Sequence, residues 1–166
     1  MEAAARDPSA KREYAPRAPP QGMGGRGRAT NGPGAHRARA GSEIVPGLFV
    51  GGSAEAARFS GTKICVLDHA PTGAEFSAHV PIYDAATDRV LPEALDRVSQ
   101  LIADAQKRGE PVLVFCGHGV RRSPLSVAWH LRRTQQLSLD EAYARLRAVR
   151  PIVEDARDWV GDPTGL

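Results

Sequence analysis

The chain has 166 residues, 42% hydrophobic and 25% charged, an ordinary composition that suits one globular domain. No stretch approaches the ~18 apolar residues a membrane-spanning helix needs, and two cysteines, Cys65 and Cys116, are too few for a disulfide scaffold. Their spacing fits no zinc site and the charged N-terminus lacks the apolar run of a signal peptide. The expectation is therefore a cytoplasmic protein in a reducing setting, with neither metal nor cofactor.

The formal charge of +3 is unevenly spread. Residues 1–42 hold eight Lys or Arg against Glu2, Asp7 and Glu13, a net of +5, while the remainder holds fourteen against sixteen, a net of −2. Nucleic acid is therefore not the expected partner of the domain, though it remains open for the tail. Residues 1–42 are rich in Ala, Arg, Gly and Pro and have no apolar periodicity, so they are read as a disordered basic tail that cannot offset its ordering entropy. Gly24 to Arg28 resembles a short RGG-type segment, read here as part of a solvated tail, and Met23 offers a second initiation point.

From Ser42 the composition changes. Glu43 to Gly52 predicts two short strands joined at Pro46-Gly47, opening a domain over residues 43–166. Lys63 to Leu67, Val80 to Tyr83 and Pro111 to Phe115 are short apolar runs that predict three central strands. Between the last two, Ala94, Leu95, Val98, Leu101, Ile102 and Ala105 recur at helical spacing, with Pro92 at the start and Gly109 as the stop. Strand, helix, strand implies a parallel crossover. A further helix is expected from Pro124, and another follows the Ser138-Leu139-Asp140-Glu141 capping box until Pro151. The pattern is that of an α/β fold, a central mostly parallel sheet flanked by helices.

The segment Cys116-Gly117-His118-Gly119-Val120-Arg121-Arg122-Ser123 lies between a buried strand and a helix N-terminus. Consecutive backbone N–H groups curled about one point make an anion nest, glycines relax the dihedral limits, and the helix adds its positive dipole end. The same field favours a thiolate at Cys116, and the Arg122 guanidinium can hold two phosphoryl oxygens at once. Gly117, His118, Gly119, Val120 and Arg121 complete the expected phosphate-binding loop.

This segment matches C-x-x-G-x-x-R-S and resembles the signature of cysteine-dependent protein phosphatases, most closely the dual-specificity branch. The resemblance extends to Glu43 to Gly51, to Val80-Pro81-Ile82-Tyr83-Asp84 and to Arg150-Pro151, covering residues 43 to about 160. A bare C-x5-R also occurs in Cdc25-like phosphatases and in arsenate reductases, but the latter place the cysteine near the N-terminus, and rhodanese-type sulfurtransferases have a shorter loop. The resemblance implies a three-layer fold with the catalytic loop between strand and helix. It implies attack by Cys116 to form a phosphocysteine, oxyanion binding by Arg122, leaving-group assistance from Ser123, and a phosphorylated protein as partner. It also implies an aspartate general acid; Asp84, thirty-two residues before Cys116, fits, with Asp88 as runner-up.

Two departures stand out. Phe115 occupies the position where the family usually has a histidine that orders the loop, which implies a less acidic thiol or a looser loop and keeps alive a phosphoprotein-binding pseudophosphatase without turnover. Glu154-Asp155 stands where relatives often carry Pro-Asn. His118 and Arg121 face the loop rim and are read as ordinary variation, with a phosphoinositide or RNA 5′-phosphate substrate as the alternative. Cys65, Trp129 and Trp159 are read as packing residues, and oligomeric state is not legible.

Overall fold

The computed structural model describes residues 40–161. The expected tail lies outside these residues except for its last three, and Ser42 is already the first residue of a strand. Strand β1 (Ser42–Val45) turns at Pro46-Gly47 into antiparallel β2 (Leu48–Gly52), as the sequence predicts, with Gly47 at φ 80° where a side chain would be strained. A single helical turn, α1 (Ser53–Ala56), leads to β3 (Thr62–Cys65) and the two-residue edge strand β4 (Ala78–His79). A small antiparallel ribbon pairs β5 (Tyr83–Asp84) with β6 (Arg89–Val90) ahead of α2 (Pro92–Lys107). Then come β7 (Val112–Cys116), α3 (Arg122–Gln135), α4 (Leu139–Val149) and a 3-10 turn at Arg157–Val160.

The main sheet runs β1-β2-β7-β3-β4, with every pair parallel except β1 with β2. β7 is therefore central and buried along its whole length, as a run of five apolar residues requires. Its side chains alternate between two cores. Val112, Val114 and Cys116 join the large core beneath α2, α3 and α4, while Leu113 and Phe115 join Phe49, Ala56, Phe59 and Cys65 on the α1 side. The architecture is thus the expected mostly parallel sheet flanked by helices, with one thick layer and one thin.

Two expectations need correction. Val80 to Tyr83 is not a central strand: Pro81 has no N–H to give a ladder, so pairing ends at His79 and resumes only in the separate ribbon, although Ile82 is buried. Helix α3 begins at Arg122 rather than Pro124. Proline fits at its third position because the first-turn N–H groups have no intrahelical partner. The capping box at Ser138 forms as read, with Glu141 N donating to Ser138 Oγ at 3.2 Å and Ser138 N donating to Glu141 Oε2 at 2.8 Å.

Helices α2 and α3 are joined by Trp129 Nε1 donating to Asp96 at 2.8 Å and by a buried contact of 2.9 Å between Ser99 Oγ and His130 Nδ1. Burial pushes the His130 imidazole down to about 4, opposed only in part by Ser99. Below its ordinary value the unfolded chain takes up a proton that the folded chain excludes. Stability present above about pH 6.5 is therefore lost as pH falls toward 4, about 3 kcal/mol when complete. Urea unfolding across this window is expected to show that loss in the wild type and a flatter profile in His130→Leu.

Candidate active site

The carboxyl end of β7 delivers Cys116 and the amino end of α3 delivers Arg122 and Ser123, so the sheet and the helix dipole converge on one loop. Gly119 N donates to Cys116 Sγ at 3.3 Å, and Ser123 Oγ lies 3.3 Å from the same sulfur and 3.0 Å from Gly51 O, either of which can accept its one proton. Burial alone would raise the Cys116 thiol. The Ser123 hydroxyl and the amides of Ser123, Gly119 and His118 outweigh it and hold the thiol below its ordinary value.

Amides can face the sulfur only if the loop carbonyls face away from it, and Arg150 receives them. Its Nε donates to Gly119 O and its NH2 group to His118 O, both at 2.9 Å, while its NH1 group meets Glu55 Oε1 at 2.9 Å. The other Glu55 oxygen accepts Gly52 N at 2.7 Å. Burial would raise the Glu55 carboxyl, but Gly52 and Arg150 hold it below the usual range. Ser53 adds two bonds from below, N to Gly117 O at 3.0 Å and Oγ to Cys116 O at 3.2 Å. The fit is close: a Cβ on Gly52 would lie 2.7 Å from Gly117 O, and one on Gly119, at φ 68°, would lie 2.6 Å from the Gly51 carbonyl carbon.

Phe115 is fully buried on the α1 face, opposite to the side from which Cys116 faces the loop. It fills apolar space among Phe49, Phe59 and Leu113, and its ring has no hydrogen bond to offer the loop. Cys65, which pairs with Phe115 in register, shares that face, so it is a core residue.

Over the loop lies a cavity of about 590 Å³ lined by Leu67, Cys116, Val120, Arg121, Arg122, Glu154 and Trp159 among others. Arg122 is held on two sides, with its guanidinium 5.1 Å over the Tyr83 ring and its NH2 group 3.2 Å from Asp68 Oδ2. Arg121 lies 5.5 Å over the Trp159 ring, and Trp159 tilts against Tyr83 at 5.3 Å. Trp159, read from sequence as packing, thus lines the cavity. A second cleft of about 380 Å³, lined by Glu43, Gly47, Gln106 and Glu110, lies at the other end of the strands and holds no nucleophile.

Of the expected residues, Cys116 to Ser123 come together, and the two aspartates stand apart. Asp84 is outside the cavity lining, its oxygens accepting from Ala86 N at 3.0 Å and Thr87 Oγ1 at 2.9 Å. Asp88 is exposed and accepts the Tyr83 hydroxyl. Tyr83 joins these groups to the cavity, because its ring supports Arg122 one residue before Asp84. Sequence reading assigns no site role to Arg150, Glu55, Asp68 or Tyr83, although Arg150 and Tyr83 lie in segments that carry the family resemblance. Among the described residues, no three His, Cys, Asp or Glu side chains gather where a metal could be held.

A loop of Cys-x5-Arg form, bent around its own sulfur between a parallel strand and a helix N-terminus, defines a class of α/β proteins. Comparison with known proteins narrows that class. The family "Dual specificity phosphatase, catalytic domain" matches residues 63–160, and the chain belongs to it. The chain is 36% identical over 132 residues to "Dual specificity protein phosphatase 12" of Mus musculus, covering 70% of this chain and 39% of that protein. Its Rattus norvegicus counterpart is 34% identical over 121 residues, covering 66% and 36%, so the chain spans little more than a third of these relatives' length. The crystal structure of human DUSP28 superposes with a TM-score of 0.59 at 23% identity, over 71% of this chain and 89% of that one, which shows the shared fold.

Arg150→Met is expected to lower stability by about 2–3 kcal/mol, since it leaves Glu55 buried without its cation, and Ser123→Ala to cost less. Both variants are expected to move the thiol titration to higher pH, as followed by ultraviolet thiolate absorbance, because each removes support for the charged sulfur.

Proposed function

We propose that the protein hydrolyses phosphotyrosine in proteins, and phosphoserine or phosphothreonine more slowly, through a phosphocysteine at Cys116. The observation that carries this reading is the convergence on one sulfur of the Gly119 amide and the Ser123 hydroxyl, each at 3.3 Å, with Arg122 at the rim. A thiol so held ionises more readily than a free one, and the groups that hold it can also bind phosphoryl oxygens. The apolar contribution of Leu67, Val120 and Trp159 to the cavity supports an aryl ester rather than an alkyl one.

In the first step the Cys116 thiolate attacks phosphorus while the bond from phosphorus to the ester oxygen breaks. Arg122 and the loop amides carry the negative charge on the equatorial oxygens, and Asp84, protonated, gives its proton to the departing phenolate. In the second step a water attacks the phosphocysteine and the S–P bond breaks. Asp84 takes the water's proton and the Ser123 hydroxyl stabilises the returning thiolate. For either transfer the Asp84 carboxylate must leave its turn with Ala86 and Thr87, which exposure of that turn permits. No metal takes part.

Phe115 favours a second reading, a phosphoprotein-binding module with little turnover, because an apolar ring replaces a hydrogen-bonding group directly before the cysteine. The two separate in one experiment, hydrolysis of a small aryl phosphate from about pH 5 to 8 with a chelator present. Turnover is expected to survive chelation, to vanish in Cys116→Ser, to fall about 100-fold or more in Asp84→Ala, and to change little in Asp88→Ala. The acidic limb reports thiol ionisation. A wild type as inert as Cys116→Ser that still binds phosphotyrosine peptide, with activity appearing in Phe115→His, would establish the binding module instead.

A further inference from the structure

Two adjacent arginines at a phosphate loop would by charge alone make the cavity a trap for polyanions. Here each already has a carboxylate. Arg122 meets Asp68 at 3.2 Å, with 27% and 31% of the two side chains exposed, and Arg121 Nε meets Glu154 Oε2 at 2.6 Å on the more open rim.

Both carboxylates are built into place. Beyond β3 the chain stays on the sheet: Val66 N donates to Phe115 O at 3.0 Å, and Leu67 O lies 2.7 Å from His79 Nε2. Asp68 therefore emerges at the carboxyl edge of the sheet, one residue beyond Leu67 of the cavity wall. Its Oδ1 is buried without a hydrogen-bond partner, so the Arg122 contact at Oδ2 is its main compensation for lost water. Arg122 is itself kept near by the Tyr83 ring. Glu154 is tied to the loop by its own backbone, N donating to Val120 O at 2.9 Å.

We infer that Asp68 and Glu154 are resident counter-ions of Arg122 and Arg121: Asp68 weakens anion binding at the loop as a whole, and Glu154 is the specificity-determining residue that disfavours polyphosphorylated ligands. The inference rests on the reading of residues 116–123 as a phosphate site and narrows its substrate class. A single phosphoryl group must share Arg122 with Asp68. A second, reaching toward the rim, meets a guanidinium already neutralised and a carboxylate that repels it. An aryl group loses nothing there, because Trp159 offers it an apolar face.

The test is calorimetric titration of the full chain with tungstate and with pyrophosphate. Wild type is compared with Asp68→Asn, Glu154→Gln and Arg122→Met, with thermal melts in parallel. Asparagine keeps an oxygen for Arg122 and removes only the charge. Asp68→Asn is expected to bind both anions about 10-fold more tightly, and Glu154→Gln to gain several-fold for pyrophosphate alone, each gain shrinking in high salt. Should Asp68→Asn melt well below wild type, Asp68→Ser carries the same expectation. Unchanged or weaker anion binding in the Asp68 variants, with Arg122→Met unable to bind, would overturn the counter-ion inference alone. Anion binding that persists in Arg122→Met would instead sink the phosphate-site reading and this inference with it.

Discussion

The site depends on one backbone constraint, that the amides after Cys116 face inward while the carbonyls of the same peptides face outward and are still satisfied. An unpaired buried carbonyl would cost about 1–3 kcal/mol, enough to let the loop relax away from the sulfur. Arg150 removes that cost for His118 and Gly119 at once, and Ser53 does so for Cys116 and Gly117. Glycine at 52 and 119 lets the two backbones approach closely enough for these bonds to form. A lowered thiol pKa is then a consequence of loop shape, since the inward-facing amides stabilise the thiolate.

The fold supplies the supports for this arrangement. β7 lies between two parallel neighbours, so its carboxyl end is held in position, and α3 starts close behind it so that the helix N-terminus points at the same place. The thin layer on the α1 side explains how Phe115 is accommodated. Strand alternation turns residue 115 away from the thiol and into an apolar cluster, where a phenyl ring packs well and offers the loop no hydrogen bond. Arg150 and Ser53 brace the loop from other directions.

Charge around the site is balanced rather than accumulated. Each loop arginine pairs with a carboxylate from a different part of the chain, and Arg150 pairs with Glu55. The pairs differ in exposure, and so in how strongly salt screens them: Arg121 with Glu154 is open to solvent, while Arg150 with Glu55 is mostly buried. The effective charge of the cavity is therefore lower than a count of its arginines suggests.

Local pattern carried much of the reading. Apolar periodicity marked α2, β3 and β7, the Pro46-Gly47 turn and the Ser138 capping box marked boundaries, and the spacing from Cys116 to Ser123 marked the loop, because each is set by interactions among residues a few positions apart. Where proline removed a ladder donor at 81, the apolar run alone misled, and where proline sat inside the first turn of α3 it suggested too late a start. The partners of the loop were not legible. Asp68 lies 54 residues from Arg122, Glu154 33 from Arg121, and Arg150 31 from Gly119, and no periodicity encodes such meetings. The sequence by itself thus determined the α/β class, the Cys116–Ser123 loop and the thiol it surrounds. Only the tertiary structure decided which side chains hold that loop open and which carboxylates neutralise its arginines, because those contacts exist only once distant segments pack at the carboxyl edge of one sheet.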